Sequence, residues 1–307
     1  MEVFLFPGQG SQYVGMGRDL YENFEEAKRV YNEGEEVLGF EIKKLSFEGP
    51  EEELVKTYIT QPAILLHSIA VFEILKNRGV SPSLVAGHSI GEYAALYAAE
   101  AIEFEDVVRA VKKRGEVMYE EGLKNPGSMA AIIGLDEKTV EELCREDNGI
   151  VIPANINSPS QIVISGEIEA VKRVGEKAKE KNAKRVIFLK VSGAFHSPLL
   201  KESAKRFKEF LRGIEIKKPK CGVVVNVKGE IVRDGEGLRQ ALEEQLSSPV
   251  LWTKTIHTIE KQGYREVYEL GPGRVICGLV KRTKPELSCT SIGTVEDLKQ
   301  LGPNLHS

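Results

Sequence analysis

Short apolar runs alternate with longer stretches of helical spacing through most of this chain, and that alternation restricts the fold more than any other feature. Val3-Phe4-Leu5-Phe6 has the length and composition of a buried strand and ends at Pro7-Gly8-Gln9-Gly10. Helical spacing follows from Tyr13 to Val37, interrupted by Gly15 and Gly17. The stretch Gln61 to Asn77 is apolar nearly all round, which predicts a central buried helix. Leu84-Val85-Ala86 predicts a strand and Glu92 to Ala101 a helix. Further on come strand Gly222 to Val227, helix Leu238 to Leu246, strand Val267 to Leu270 and helix Val275 to Lys281. Such alternation implies an α/β fold around a largely parallel sheet.

One stretch breaks the rhythm. Ser128 to Leu135 is strand-like, Asp136 opens a helix to about Arg145, and Ile150 to Asn157 and Gln161 to Ser165 are two strands joined at Ser158-Pro159-Ser160. An amphipathic helix from Glu167 to Lys181 and a strand from Arg185 to Val191 complete the order β-α-β-β-α-β. That order is the ferredoxin-like unit. With Asn125-Pro126-Gly127 and Ser192-Gly193 as hinges, residues 127–195 are expected to form a small inserted domain. Residues 1–126 and 196–307 would make a discontinuous large α/β domain around it.

The strongest chemical signal is Gly87-His88-Ser89-Ile90-Gly91, a G-x-S-x-G sequence between a predicted strand and a predicted helix. A nucleophile elbow needs that context. Its glycines allow a turn too tight for neighbouring side chains, and the following helix start aims N–H groups at developing negative charge. A serine hydroxyl needs a base, and five histidines are present. His306 is next to the C-terminus, His67 lies in the apolar helix, and His257 follows Trp252 to Ile256 on a helix. His88 adjoins the serine on a turn that directs the two side chains apart. His196, in Gly193-Ala194-Phe195-His196-Ser197-Pro198, follows a strand end, where active-site residues of open α/β sheets gather. Elimination leaves His196 as the candidate base.

The run Pro7-Gly8-Gln9-Gly10-Ser11-Gln12 is not a dinucleotide loop, because Tyr13 stands where a third glycine is needed. It is not a phosphate loop either, because Met16-Gly17 follows Gly15 in place of Lys-Ser/Thr. A tight glycine turn after a first strand can still offer N–H groups to an oxyanion, which makes Gln9 a candidate donor. On the helix Phe104 to Glu120, Arg114 falls within the apolar stripe of Val107, Ala110, Val111, Val117 and Met118. An inward cation requires an anion, supplied either by a protein carboxylate or by a ligand.

Composition narrows the classes. A net charge of -4 carries no basic field for nucleic acid or an anionic membrane. Cys144, Cys221, Cys277 and Cys289 lie far apart without a C-x-x-C pair. With no signal-like N-terminus, that spacing argues for a reducing cytoplasm and no structural zinc. The longest apolar run, Ala63 to Leu75, contains His67, Ser68 and Glu73 and is too short to span a bilayer.

Several motifs stand in register with one family. Phe6-Pro7-Gly8-Gln9-Gly10-Ser11-Gln12, Thr60-Gln61-Pro62, Gly87 to Glu92, Gly193 to Ser197, Gln245-Leu246 before Pro249-Val250, and Gly271-Pro272-Gly273 occur in order. Together they resemble the malonyl-CoA:acyl carrier protein transacylases of bacterial fatty-acid synthesis, over nearly the whole chain. The resemblance implies an α/β-hydrolase-like large domain with the ferredoxin-like insertion. It makes Ser89 the acylated nucleophile and His196 its base and then its acid. It gives the oxyanion to the N–H groups of Gln9 and Ile90, and the malonyl carboxylate to Arg114. The main-chain carbonyl at Gln245 would orient the histidine, and Gln61 and Asn157 would line the pocket. Ile90 and Phe195 side with malonyl over methylmalonyl. The implied partners are malonyl-CoA and acyl carrier protein, with neither metal nor cofactor, in a cytoplasmic monomer. Two other readings use the same residues: a serine hydrolase or thioesterase with water as acceptor, and a non-catalytic acyl-binding module.

Overall fold

The computed structural model describes residues 2–191 and 193–301. Met1, Ser192 (half of one expected hinge) and residues 302–307, which include His306, lie outside the described part. Its strands are β1 (Glu2–Phe6), β2 (Pro82–Gly87), β3 (Gly127–Ile133), β4 (Val151–Ser158), β5 (Gln161–Glu167), β6 (Arg185–Phe188), β7 (Gly222–Val225), β8 (Glu230–Val232), β9 (Glu266–Leu270) and β10 (Ser288–Ile292).

Val3 to Phe6 are wholly buried because β1 is an interior strand covered on both faces, so its sequence shows no alternation. The large sheet has the order β10-β9-β1-β2-β7-β8. Neighbours from β10 to β7 are parallel, and only the edge strand β8 runs antiparallel to β7. The carboxyl ends of β1 and β2 therefore lie side by side, and both lead into glycine turns. The helix Thr57–Asn77 packs into the core beside them, with Gln61, Leu65, Leu66, Ile69 and Ala70 all at 1% exposure or less. It is long and apolar enough to cross a membrane, yet 89% of its apolar window is buried inside the protein, as in a core helix.

The second sheet has the order β4-β5-β3-β6 and is antiparallel throughout. Period-two alternation divides its side chains between two cores. Ala130, Ile132, Ile162 and Ile164 pack with Val140, Leu143, Val171 and Val174, from the helices Glu137–Arg145 and Ile168–Glu180. Met129, Ala131 and Val163 face the other way and join the core of the large sheet. The second sheet is also tied by main chain to the segment preceding the helix Trp252–Lys261. Val250 N–H donates to Ala154 O at 2.8 Å, and Ile156 N–H donates to Val250 O at 2.9 Å.

The expected elements are present, with three differences of substance. β6 ends at Phe188; Leu189 N–H still donates to Met129 O of β3 at 2.9 Å, and the expected strand residues Lys190 and Val191 lie beyond it. The helices Ile42–Glu48, Glu51–Leu54, Lys201–Leu211 and Val295–Gln300 and the strands β8 and β10 are additional to those expected from sequence. Cys277 and Cys289, which have no C-x-x-C spacing, form a disulfide. Parallel strands β9 and β10 are joined by the helix Val275–Thr283, which sets its first turn beside the second residue of β10. A connection of that kind brings distant cysteines together without any C-x-x-C spacing. The pairing removes the cysteine argument for a reducing compartment.

Candidate active site

Gly87 and Gly91 shape the turn that carries Ser89. A Cβ on Gly87 would stand 1.9 Å from Gly91 C, and one on Gly91 would stand 2.2 Å from Phe6 O. No side chain fits either place, which is why the pattern requires glycine there. Between them Ser89 adopts the left-handed conformation, with φ 52°. His196 does the same, with φ 57°. Non-glycine residues hold that region only where their surroundings over-determine it, and such residues cluster at functional sites.

The two side chains meet. Ser89 Oγ–H donates to His196 Nε2 at 2.8 Å, and His196 Nδ1–H donates to the main-chain oxygen of Gln245 at 2.9 Å. The second bond fixes the tautomer and leaves Nε2 free to accept a proton. His196 is buried, and burial with the nearby Arg114 guanidinium holds its pKa down to about 3. The ring is therefore neutral in the resting site.

Arg114, on the helix Phe104–Lys124, is 1% exposed and has no ion pair among the described residues. Its direct acceptors are neutral oxygens, and the buried Glu92 carboxyl acts on it at longer range. Its Nη1 donates to Gln61 Oε1 at 2.7 Å, and its Nη2 donates to Gln245 Oε1 at 2.9 Å and to Ser89 Oγ at 3.0 Å. The guanidinium carbon lies 5.5 Å from the centroid of the Tyr93 ring. A buried cation without a carboxylate partner is costly, and an incoming anion relieves that cost.

Gln61 is not on the cavity surface. It is fully buried behind Arg114, and its Nε2 donates to Met118 Sδ at 3.3 Å. Asn157 does face the cavity, and its Oδ1 accepts from His88 Nε2–H at 2.8 Å. His88 thus turns away from Ser89, with its ring centroid 5.3 Å from that of Trp252. His67 is a core histidine bonded to Gly293 O at 2.8 Å. His257 sits on the helix Trp252–Lys261, outside the cavity lining.

The cavity holds about 130 Å³. Gln9, Ser89, Ile90, Arg114, Phe195 and His196 line it together with Met129, Val163, Leu189 and Val191. Gln9 turns its amide side chain towards Thr57 Oγ1, 3.4 Å away, at the end of β1. Ile90 immediately precedes the helix Gly91–Ala98, so its N–H belongs to that helix's positive end. A serine on a tight turn, a neutral histidine and a buried cation in a small cavity suit transfer of an anionic acyl group.

Residues 3–302 match the family described as the acyl transferase domain. The chain belongs to the acyl transferase family. Among its curated relatives, the malonyl CoA-acyl carrier protein transacylase of Bacillus subtilis is 44% identical over 97% of this chain and 95% of its own. The Escherichia coli (strain K12) protein of the same name is 41% identical over 94% and 95%. Among solved structures, a malonyl-transacylase in complex with its type II PKS acyl-carrier protein superposes with a TM-score of 0.94. It is 42% identical and covers 97% of this chain and 98% of its own. The malonyl CoA-acyl carrier protein transacylase of Coxiella burnetii gives 0.96 at 37% identity, over 99% and 98%.

Two features of this acyl transferase escape the sequence reading. Gln245 acts with its side chain as well as its carbonyl, because Nε2 also donates to Ser89 O at 3.2 Å. Only the position's match to a family motif flagged it. Asn226 and Glu92 lie fully buried against the elbow, and burial pushes the Glu92 carboxyl up to about 7. The visible signal was a lone amide inside Val223-Val224-Val225-Asn226-Val227, and a carboxylate directly after the elbow glycine.

Proposed function

We propose that this protein carries malonyl from malonyl-CoA to the phosphopantetheine thiol of acyl carrier protein, through a malonyl ester on Ser89. The observation that carries this reading is Arg114, a buried cation that makes no direct ion pair among the described residues, with the Glu92 carboxyl acting on it only at longer range, and that donates to the hydroxyl of Ser89. In the first half-reaction His196 Nε2 takes the Ser89 proton as Oγ attacks the thioester carbonyl. The N–H groups of Gln9 and Ile90 receive the developing oxyanion. The tetrahedral centre collapses, the carbon–sulfur bond breaks, and coenzyme A leaves as a thiol with the proton held by His196. In the second half-reaction His196 deprotonates the carrier thiol, which attacks the ester, and the proton returns to Ser89 Oγ. Arg114 pairs with the malonyl carboxylate in both halves. The Gln245 carbonyl stabilises imidazolium where many serine enzymes use a carboxylate.

We also infer the finer architecture from the same pattern. The β-α-β-β-α-β order of residues 127–195 supports a ferredoxin-like insertion. The elbow on a mainly parallel sheet supports a hydrolase-like large domain from residues 1–126 and 196–307. The chain is taken to work as a cytoplasmic monomer. Hydrolysis is the less favoured reading, since the curated relatives are transacylases and Arg114 has no part in a generic esterase.

Comparing malonyl-CoA with acetyl-CoA for Arg114→Ala tests the proposal. Losing the charge-assisted contacts costs about 2–5 kcal/mol, or on the order of 30- to 5000-fold in malonyl kcat/KM. Acetyl transfer should be spared or rise, inverting the preference. Equal loss on both thioesters in a protein of lowered Tm would overturn the reading.

A further inference from the structure

The elbow has a second support that no motif announces. Strand β2 pairs with β7 as Leu84↔Gly222, Val85↔Val223 and Ala86↔Val224. The pairing with β7 ends at Ala86 while β1 still pairs with Gly87, so on the β7 side Gly87 O and Ser89 N–H lie beyond the ladder inside a buried region. Orphaned main-chain groups there would cost about 1–3 kcal/mol each. The side chain of Asn226, one residue past β7, takes up both. Its Oδ1 accepts from Ser89 N–H at 2.7 Å, and its Nδ2 donates to Gly87 O at 2.6 Å. A primary amide offers an acceptor and a donor in one plane, as a peptide unit does. Asn226 in effect extends the β2–β7 pairing around the corner.

Asn226 is itself held on two sides. Its main-chain N–H donates to Glu92 Oε2 at 2.7 Å, and its main-chain O accepts from Leu251 N–H at 3.0 Å. Leu251 adjoins Val250, which is bonded to β4 of the second sheet. Asn226 is wholly buried and lines no part of the cavity. Ser89 O accepts from Glu92 N–H at 3.1 Å and from Gln245 Nε2 at 3.2 Å. The left-handed Ser89 is therefore gripped at both its N–H and its carbonyl, which such a conformation requires.

We infer that Asn226 is a positioning residue for the nucleophile. By pinning Gly87 and Ser89 it holds Oγ in reach of His196 Nε2 and keeps the Ile90 N–H facing the same point. This rests on Ser89 being the nucleophile. The effect should be blind to the acyl group, unlike that of Arg114, because Asn226 acts on the attacking atom and not on the substrate.

The test is steady-state transfer by the full-length Asn226→Ala protein with malonyl-CoA and acetyl-CoA. Rates are normalised to the folded, acylatable fraction by intact mass, with Tm measured alongside. The expected kcat loss is about 10- to 100-fold on both thioesters, with KM within about twofold and the malonyl-to-acetyl ratio unchanged. Wild-type kcat per acylatable site, a rise in KM as the main change, or an altered ratio overturns the inference. If Asn226→Ala does not fold, Asn226→Asp replaces it. That variant keeps the acceptor for Ser89 N–H and loses the donor to Gly87 O. It should lose about 3- to 30-fold in kcat at unchanged KM, and wild-type kcat there overturns the inference too. Ser89→Ala run in parallel separates the two levels. Retained transfer in that variant sinks the nucleophile assignment, whereas an inactive Ser89→Ala beside a normal Asn226 variant sinks only the positioning role.

Discussion

The two walls of the cavity are made of different material. The wall at the carboxyl ends of β1 and β2 is a chain of polar contacts from Arg114 through Ser89 and His196 to Gln245, each link between 2.8 and 3.0 Å. The second sheet and the chain just beyond β6 offer mainly apolar side chains, Met129 and Val163, then Leu189 and Val191, with Asn155 and Asn157 of β4 as the polar exceptions. Directed hydrogen bonds fail over a few tenths of an ångström, while apolar contact is non-directional and yields gradually. The first wall should therefore govern whether transfer happens, and the second which acyl group fits.

The largest effects should come from the polar wall. Ser89→Ala is expected to lower transfer by roughly 10³-fold or more, and His196→Ala nearly as far, because such groups act as a unit. Transfer above a few per cent of wild type in pure Ser89→Ala would contradict the assignment. His196 also makes a pH statement. A base works when deprotonated, so activity is lost as pH falls through its pKa. With that pKa held down to about 3, kcat/KM for acylation should stay flat from about pH 8 to about pH 5. A half-loss near the ordinary histidine value of about 6.5 that persists in Glu92→Gln, which removes the carboxyl held near 7, would mean the ring is far better solvated than its burial indicates.

Gln245→Ala sharpens the contrast within that wall. The main-chain carbonyl that holds His196 survives the substitution, while Arg114 loses one acceptor and Ser89 O loses one donor. A loss of about 10- to 100-fold on malonyl is expected, smaller than for His196→Ala. An effect below about twofold would show the side chain to be a bystander.

The smallest effects belong to the apolar wall. Val163→Ala should leave malonyl kcat/KM within about threefold and improve methylmalonyl by up to about tenfold, as one added methyl group finds room. Val163→Ala losing malonyl transfer as severely as Gln245→Ala would break the division between the walls.

The polar wall was also the more legible in sequence. Gly87 and Gly91 announce the elbow because no other residue fits, and Arg114 stands out as a cation in an apolar helical stripe. His196 emerged by elimination, which works because histidines are few. What stayed hidden depends on three-dimensional neighbours. Asn226 looks like a strand residue until β7 is laid beside β2. Gln61 belongs to the right helix, yet its position behind Arg114 depends on how that helix packs. The Cys277–Cys289 link needs the crossover between β9 and β10, which spacing alone cannot reveal. In the second sheet, alternation gave the strands, but the departure of Leu189 and Val191 from β6 into the cavity has no local signature.

The most direct measurement is the intact mass of the protein after mixing with malonyl-CoA, and again after adding the pantetheinylated carrier protein. The account predicts one malonyl adduct, mapped to Ser89 by fragmentation, that persists in buffer and moves to the carrier when it is added. An adduct on another residue, an adduct lost to free malonate with or without carrier, or no adduct in a folded sample would contradict it.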